Sequence, residues 1–265
     1  MTAAPVPPAH VVGIYRHRKA GHLVELLRPE VRPSWSMALW ALDDVDPQLA
    51  AWTVGCGPGG KFDLLNAILE RAPAQPGQHL LVTDDDITLP GSGLSALLTA
   101  MVAAGLDLAQ PAHRADSSFS HPITRRQRLA RARLTTFVEI GPVFAVAAPW
   151  VPQFAPFPAD HGMGWGLELL WSRLRQHGCR LGIVDATTVL HPERPNVSYA
   201  GSLDAEYAQL DRLLAEDGYA NLEQAQQVLA TWWRWQRQPS WLRADRAGAP
   251  DHGTGSSQGG SLLPR

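Results

Sequence analysis

The chain has 265 residues, 45% hydrophobic and 18% charged, which excludes collagen-like and wholly disordered polymers and allows a sizeable core. Its 23 Lys and Arg against 25 Asp and Glu give a net charge of −2, so no global basic field points to a nucleic-acid partner. Cys56 and Cys179 are the only cysteines, too few for a disulfide scaffold or a thiolate zinc site, and a reducing compartment is expected.

The Pro- and Ala-rich start has no basic segment followed by an apolar one, so it does not read as a secretory signal, and residues 1–9 are expected to be flexible. No apolar run reaches the roughly 20 residues of a membrane helix, and the expected location is the cytoplasm, with at most peripheral membrane contact. His10–Tyr15 (HVVGIY) predicts a strand that delivers the basic cluster Arg16-His17-Arg18-Lys19 to its C-terminal end. Trp35–Leu42 predicts a second strand, ending at Asp43 and Asp44. Ala51–Val54 predicts a third, running into Gly55-Cys56-Gly57-Pro58-Gly59-Gly60, a loop type that brings backbone close to ligands. The spacing of Phe62, Leu65, Ile68 and Leu69 predicts an amphipathic helix over Lys61–Arg71.

His79–Thr83 is the clearest strand and runs straight into Asp84-Asp85-Asp86. A helix is expected over Leu94–Ala104, a strand over Leu106–Gln110, a polar, Arg-rich loop or helix over Ser117–Arg133, and a strand over Phe137–Ala147. Gly162-Met163-Gly164-Trp165-Gly166 precedes a helix over Leu167–His177, and Gly182–Leu190 forms a last strand ending at His191-Pro192. Helices are expected over Ala205–Leu214 and Leu222–Trp235, and a disordered Gly/Ser-rich tail over Ala244–Arg265. The β/α alternation predicts an α/β sandwich: one domain over 10–200, a helical extension over 201–243 and the tail.

Strand alternation sends Asp84 and Asp86 to one side, where two carboxylates repel unless a cation neutralises them. A hard divalent ion, Mg²⁺ or Mn²⁺, held by one or two carboxylates with water and substrate phosphates, suits that chemistry and points to a nucleotide diphosphate. The bland alternative is a solvated acidic turn. His191, at another strand end, can complete a metal shell or serve as a turn residue; open α/β sheets place ligands at such ends. Glu168 at a helix start can complement the helix dipole or act as a general base toward an acceptor hydroxyl.

In chain order, VTDDDITLP, FVEIGPVFAVAAPW, GMGWGLELLW and RLGIVDATTVLHP resemble glycosyltransferases of the GT-A fold, most closely a domain-of-unknown-function family common in plants and also found in bacteria. The likeness covers residues 11–195 and implies a Rossmann-like mixed sheet between helices. It implies that Asp84 and Asp86 form a DxD contacting metal and donor together with Asp85, that His191 completes the metal site, and that Glu168 is the acceptor-side acid. The related motif Gly-Trp-Gly-Gly-Glu-Asp places a further Asp where Leu169 stands, so the base assignment stays open. Lys61 and Asn66 resemble residues that hold the nucleotide after a Gly-rich stretch, although Asn66 also reads as a helix-surface amide. Asp43 or Asp44 would meet base or ribose, with Arg16 similarly placed.

Trp165 can offer a flat face to a sugar or fill the core. The run Arg125, Arg126, Arg128, Arg131 and Arg133 can bind a diphosphate or an anionic acceptor, or be a solvated face. Trp232, Trp233, Trp235 and Trp241, interleaved with Arg234, Arg237 and Arg243, fit an interfacial helix on an anionic membrane or a helix packed on the domain. The combined expectation is a metal-dependent transferase moving a sugar from a nucleotide-diphosphate sugar, UDP favoured, to a hydroxyl of a glycan, lipid or small molecule, inverting if Glu168 is the base. The alternatives are a nucleotidyltransferase or phosphate hydrolase on a similar metal site, and a silent nucleotide-binding module.

Overall fold

The computed structural model describes residues 5–158, 162–192 and 203–243. Strand β1 (Ala9–Tyr15) is buried along its whole length because both faces of its sheet are covered. Val11 and Tyr15 pack on one side with helices α1 (Ala20–Leu27) and α3 (Leu94–Ala104), while Val12 and Ile14 pack on the other with α2 (Lys61–Arg71). This is the period-two alternation of a strand with apolar residues on both faces.

The remaining strands are β2 (Trp35–Ala41), β3 (Thr53–Cys56), β4 (His79–Thr83), β5 (Leu108–His113), β6 (Ala130–Thr135), β7 (Val143–Val146), β8 (Leu181–Val189) and β9 (Val228–Trp233). Short α4 (Val151–Phe154) and α5 (Leu167–Arg173) precede β8, and α6 (Leu203–Glu216) follows it. The nine strands among the described residues form one mixed sheet in the order β3-β2-β1-β4-β7-β5-β8-β6-β9. Strands β1, β2 and β4 are parallel; β7 runs antiparallel to both β4 and β5, and β8 is parallel to β5. The C-terminal ends of β1, β4, β5 and β8 therefore share one edge, which gathers Arg16, Asp84 to Asp86, His113 and His191.

Several sequence expectations are corrected. The third strand begins at Thr53 and the fifth at Leu108. Phe137–Ala147 is strand only over β7; its first part is a loop that reaches β7 through the cis Gly141–Pro142 peptide. The Arg-rich stretch is neither wholly loop nor helix, since it ends in β6. The helix expected over Leu222–Trp235 is instead β9, whose β-branched and aromatic residues pair antiparallel with β6. The interfacial membrane helix is thus not formed: Trp232 and Trp241 are buried in the core, and Trp241 Nε1 donates to the Ala104 carbonyl at 2.8 Å. No helix among the described residues is long and apolar enough to cross a membrane.

Residues 5–9, expected to be flexible, are held where described: the Pro7 carbonyl accepts from Trp35 Nε1 at 2.8 Å and the Pro8 carbonyl from the His79 N–H at 2.9 Å. Residues 1–4, the boundary at 200 and the tail from 244 lie outside the described residues.

Candidate active site

One cleft at the C-terminal sheet edge is lined by residues that are distant in sequence, among them Arg16, Lys61, the three aspartates, Glu139, Glu168 and His191. Each aspartate has a basic side chain of its own. The Lys61 ammonium lies 2.7 Å from Asp84 Oδ1 and 3.0 Å from Oδ2, and it also donates to the Ile140 carbonyl at 3.3 Å. Gly141 leaves room for this pair, since a Cβ there would crowd it at 3.0 Å from Lys61 Nζ and 3.3 Å from Asp84 Oδ2.

Asp85 is buried and accepts from the Arg16 backbone N–H at 2.8 Å and from Arg16 Nη1 at 3.3 Å. Burial pushes its carboxyl up to about 6, with Arg16 opposing the rise. Asp86 Oδ1 lies 3.1 Å from His191 Nε2. Burial works against both charged forms, but their mutual hydrogen bond and attraction prevail: Asp86 is held below the ordinary carboxylate range and His191 above the ordinary imidazole range. Among the described residues no group of three or more His, Cys, Asp or Glu side chains is arranged to hold a metal ion. Asp86 and His191 are a pair of donors.

Glu168 is placed differently. Gly166, at φ 93°, turns the chain into α5 in a conformation that favours glycine and donates its N–H to Glu168 Oε2 at 3.2 Å. The side chain is buried, and that burial, with the charge of Glu139 adding to it, pushes its carboxyl up to about 8. The preceding loop is anchored by Glu206 of α6, which accepts from the Met163 N–H at 2.8 Å and the Trp165 N–H at 3.3 Å. Trp165 is half-buried in the cleft wall, with its ring tilted against Tyr207 at a centroid distance of 5.3 Å.

Sequence reasoning missed a buried chain of polar groups joining the two sides. His113 Nε2 lies 3.2 Å from Glu139 Oε2, and its Nδ1 lies 2.9 Å from Ser117 Oγ, which accepts the His191 backbone N–H at 2.9 Å. The isolated acid in FVEIGP was the available signal for Glu139.

Two expected residues sit apart from the cleft lining. The Asn66 amide is engaged by the Phe157 backbone, donating to its carbonyl at 2.9 Å and accepting from its N–H at 2.7 Å. Asp43 is exposed and accepts from the backbone N–H groups of His17 (2.7 Å) and Asp44 (2.9 Å). The Gly-rich loop does not line the cleft either; the first turn of α2 that follows it docks on the loop before α5, where the Phe62 N–H donates to the Gly162 carbonyl at 2.9 Å.

A mixed nine-stranded sheet with a carboxylate-lined cleft at this edge is the GT-A glycosyltransferase fold. The structure is similar to GalNAc-T7 crystallised with UDP, GalNAc and Mn²⁺, with a TM-score of 0.56 and 12% identity over 82% of this chain and 50% of that one. It is also similar to S. aureus TarS (TM-score 0.54, 12% identity, 82% and 41% covered) and to its 1–349 portion in complex with UDP-GlcNAc (TM-score 0.52, 12% identity, 82% and 68% covered). The chain thus spans about half or less of the length of the first two. No family model matches the sequence, and no curated protein matches it; the finer likeness to the plant and bacterial domain family has no such match behind it.

Proposed function

We propose that the protein is a metal-dependent glycosyltransferase that moves a sugar from a nucleotide-diphosphate donor, UDP-linked by preference, to an acceptor hydroxyl. The observation that carries this reading is the convergence of Asp86 and His191 with the Lys61–Asp84 pair and the buried Glu168 in one cleft. A carboxylate and an imidazole offer two ligands to Mn²⁺ or Mg²⁺, and such an ion takes its other ligands from water and phosphate oxygens. When bound, the ion would neutralise the departing diphosphate. GalNAc-T7 crystallised with UDP and Mn²⁺, and TarS with UDP-GlcNAc, support the donor class and the metal.

In this reading Lys61 and Arg16 set the charge around Asp84 and Asp85 on the donor side, and Trp165 presents an apolar face to the sugar. Glu168 takes the proton of the acceptor hydroxyl. The hydroxyl oxygen then bonds to the anomeric carbon as its bond to the diphosphate oxygen breaks, which inverts that centre. With its carboxyl pushed up to about 8, Glu168 acts as the base in its deprotonated form, which gains population as pH rises toward that value.

The test is nucleotide release from UDP-, GDP- and dTDP-sugars with and without Mn²⁺. Metal-dependent release of a nucleoside diphosphate supports the transferase and names the donor. Pyrophosphate release from a nucleoside triphosphate would assign nucleotidyl transfer instead, and nucleotide binding without turnover a silent module.

A further inference from the structure

A second cavity adjoins the cleft, and its wall is cationic: Arg114, Arg125, Arg126 and Arg128 line it together with His113 and Asp116. Asp116 is already engaged by Arg114 through two bonds of 2.8 Å. Arg125, Arg126 and Arg128 are exposed, and none forms an ion pair among the described residues. In a chain of net charge −2 this is a local concentration of positive charge within a concavity.

The loop carrying these arginines is braced. The Arg126 N–H donates to the His113 carbonyl at 2.9 Å. Buried Arg133 grips Asp185 at 2.8 and 3.0 Å and donates to the carbonyls of Ile123 (2.7 Å) and Arg125 (2.8 Å), while Asp185 accepts the Gln127 N–H at 2.7 Å. The Arg125 guanidinium lies 5.3 Å from the centroid of Phe119. His113 lines both this cavity and the cleft that holds Glu168, and Phe119, against which Arg125 lies, lines the cleft. Guanidinium groups held around a concavity match the oxygens of a phosphate, which they bind as planar forks.

We propose that this cavity binds a phosphate group carried by the acceptor, which makes the acceptor a phosphorylated hydroxyl compound. The term acceptor rests on the glycosyltransferase reading of the adjoining cleft; the phosphate site rests on its own geometry. Arg126→Ala/Arg128→Ala removes two exposed charges and leaves the Arg133 brace intact, and an unchanged melting temperature checks its fold.

Inorganic phosphate, glycerol 3-phosphate, dimethyl phosphate, neutral glycerol, UDP and a short oligoribonucleotide are titrated at low salt into both proteins and followed by NMR or calorimetry. At least one phosphate probe is expected to bind the wild type roughly tenfold or more tightly than the variant, with glycerol silent and UDP affinity unchanged. Preference for glycerol 3-phosphate over dimethyl phosphate assigns a monoester, and the reverse a diester. Equal phosphate binding by both proteins, or none at millimolar concentration, overturns the proposal. A parallel loss of UDP affinity overturns it too, assigning the arginines to the donor, as does tighter binding of a short oligoribonucleotide than of every phosphate ester. Phosphate binding without nucleotide-sugar turnover would remove the transferase reading and leave the site standing.

Discussion

Asp84, Asp85 and Asp86 each meet a basic side chain from another part of the chain, namely Lys61, Arg16 and His191. Glu168, buried in the same cleft, has no ion pair among the described residues; it is held by backbone hydrogen bonds, that of the Gly166 N–H among them, and Glu139 adds charge of its own sign. The pairing with His191 holds the Asp86 carboxyl below the ordinary range, whereas the burial of Glu168 favours its proton. The proposed transferase would need both, because one side would receive a diphosphate and the other a proton. The difference between them can be broken from either side.

The largest effect is expected on the aspartate side. Asp86→Asn removes one of the two groups proposed to hold the ion, and metal-assisted charge stabilisation amounts to several kcal/mol, so metal-dependent nucleotide release should fall by about a hundredfold or more. Full release by the variant would remove Asp86 from the metal site. Glu168→Gln should act on the other side only. Transfer to an acceptor should drop by about a hundredfold while UDP affinity stays within error. In the wild type, transfer should rise with pH toward about 8, where the Glu168 carboxyl loses its proton; a pH profile unchanged in Glu168→Gln would assign the base elsewhere.

A smaller effect is expected from the Lys61–Asp84 pair, which is only partly buried on the aspartate side. Lys61→Met should destabilise the fold by about 1–3 kcal/mol, because it leaves a carboxylate without its donor. Asp84→Asn in the same chain should recover much of that loss. A denaturation cycle reads the coupling, and additive effects would show that the pair is incidental.

How much of this was readable differs between the two sides for physical reasons. The triple aspartate follows an unbroken apolar strand, so its position at the sheet edge was evident from HLLVT alone, and His191 was legible on the same ground. The cations facing Asp84 and Asp85 were not, since Lys61 opens a helix 23 residues away and Arg16 ends another strand; only the sheet order brings them together. Glu139 was hidden inside FVEIGPVF, where continuous apolar character reads as strand although the chain loops before Pro142. Asn66 was legible as a feature, but the engagement of its amide by the Phe157 backbone, 91 residues away in the chain, is a contact that spacing does not encode. Strand β9 was misread because Leu and Trp spacings suit a helix, and its pairing with β6 is a long-range contact that spacing does not encode.

The gentlest test of the contrast uses stability alone and needs no substrate. In the folded chain Glu168 keeps its proton up to about 8, whereas an unfolded glutamate releases it near 4.5. Between those values the folded state binds more protons than the unfolded one, so this residue makes stability fall as pH rises through that window. Asp85, raised to about 6, contributes a fall of the same sign at lower pH. His191, raised by Asp86, stabilises most when protonated, and this contribution is lost as pH climbs through its folded value. Glutamine at 168 keeps the shape and cannot ionise. Glu168→Gln should therefore melt higher than the wild type at pH 9 by several degrees, at about 2–4 °C per kcal/mol for a chain of this size, and by little at pH 5. The residual slope left in the variant contains Asp85 and His191 together with the other shifted groups, among them His10, His121 and Asp185. An equal offset at both pH values would mean that Glu168 is charged throughout, and the contrast between the two sides of the cleft would then be one of geometry and not of protonation.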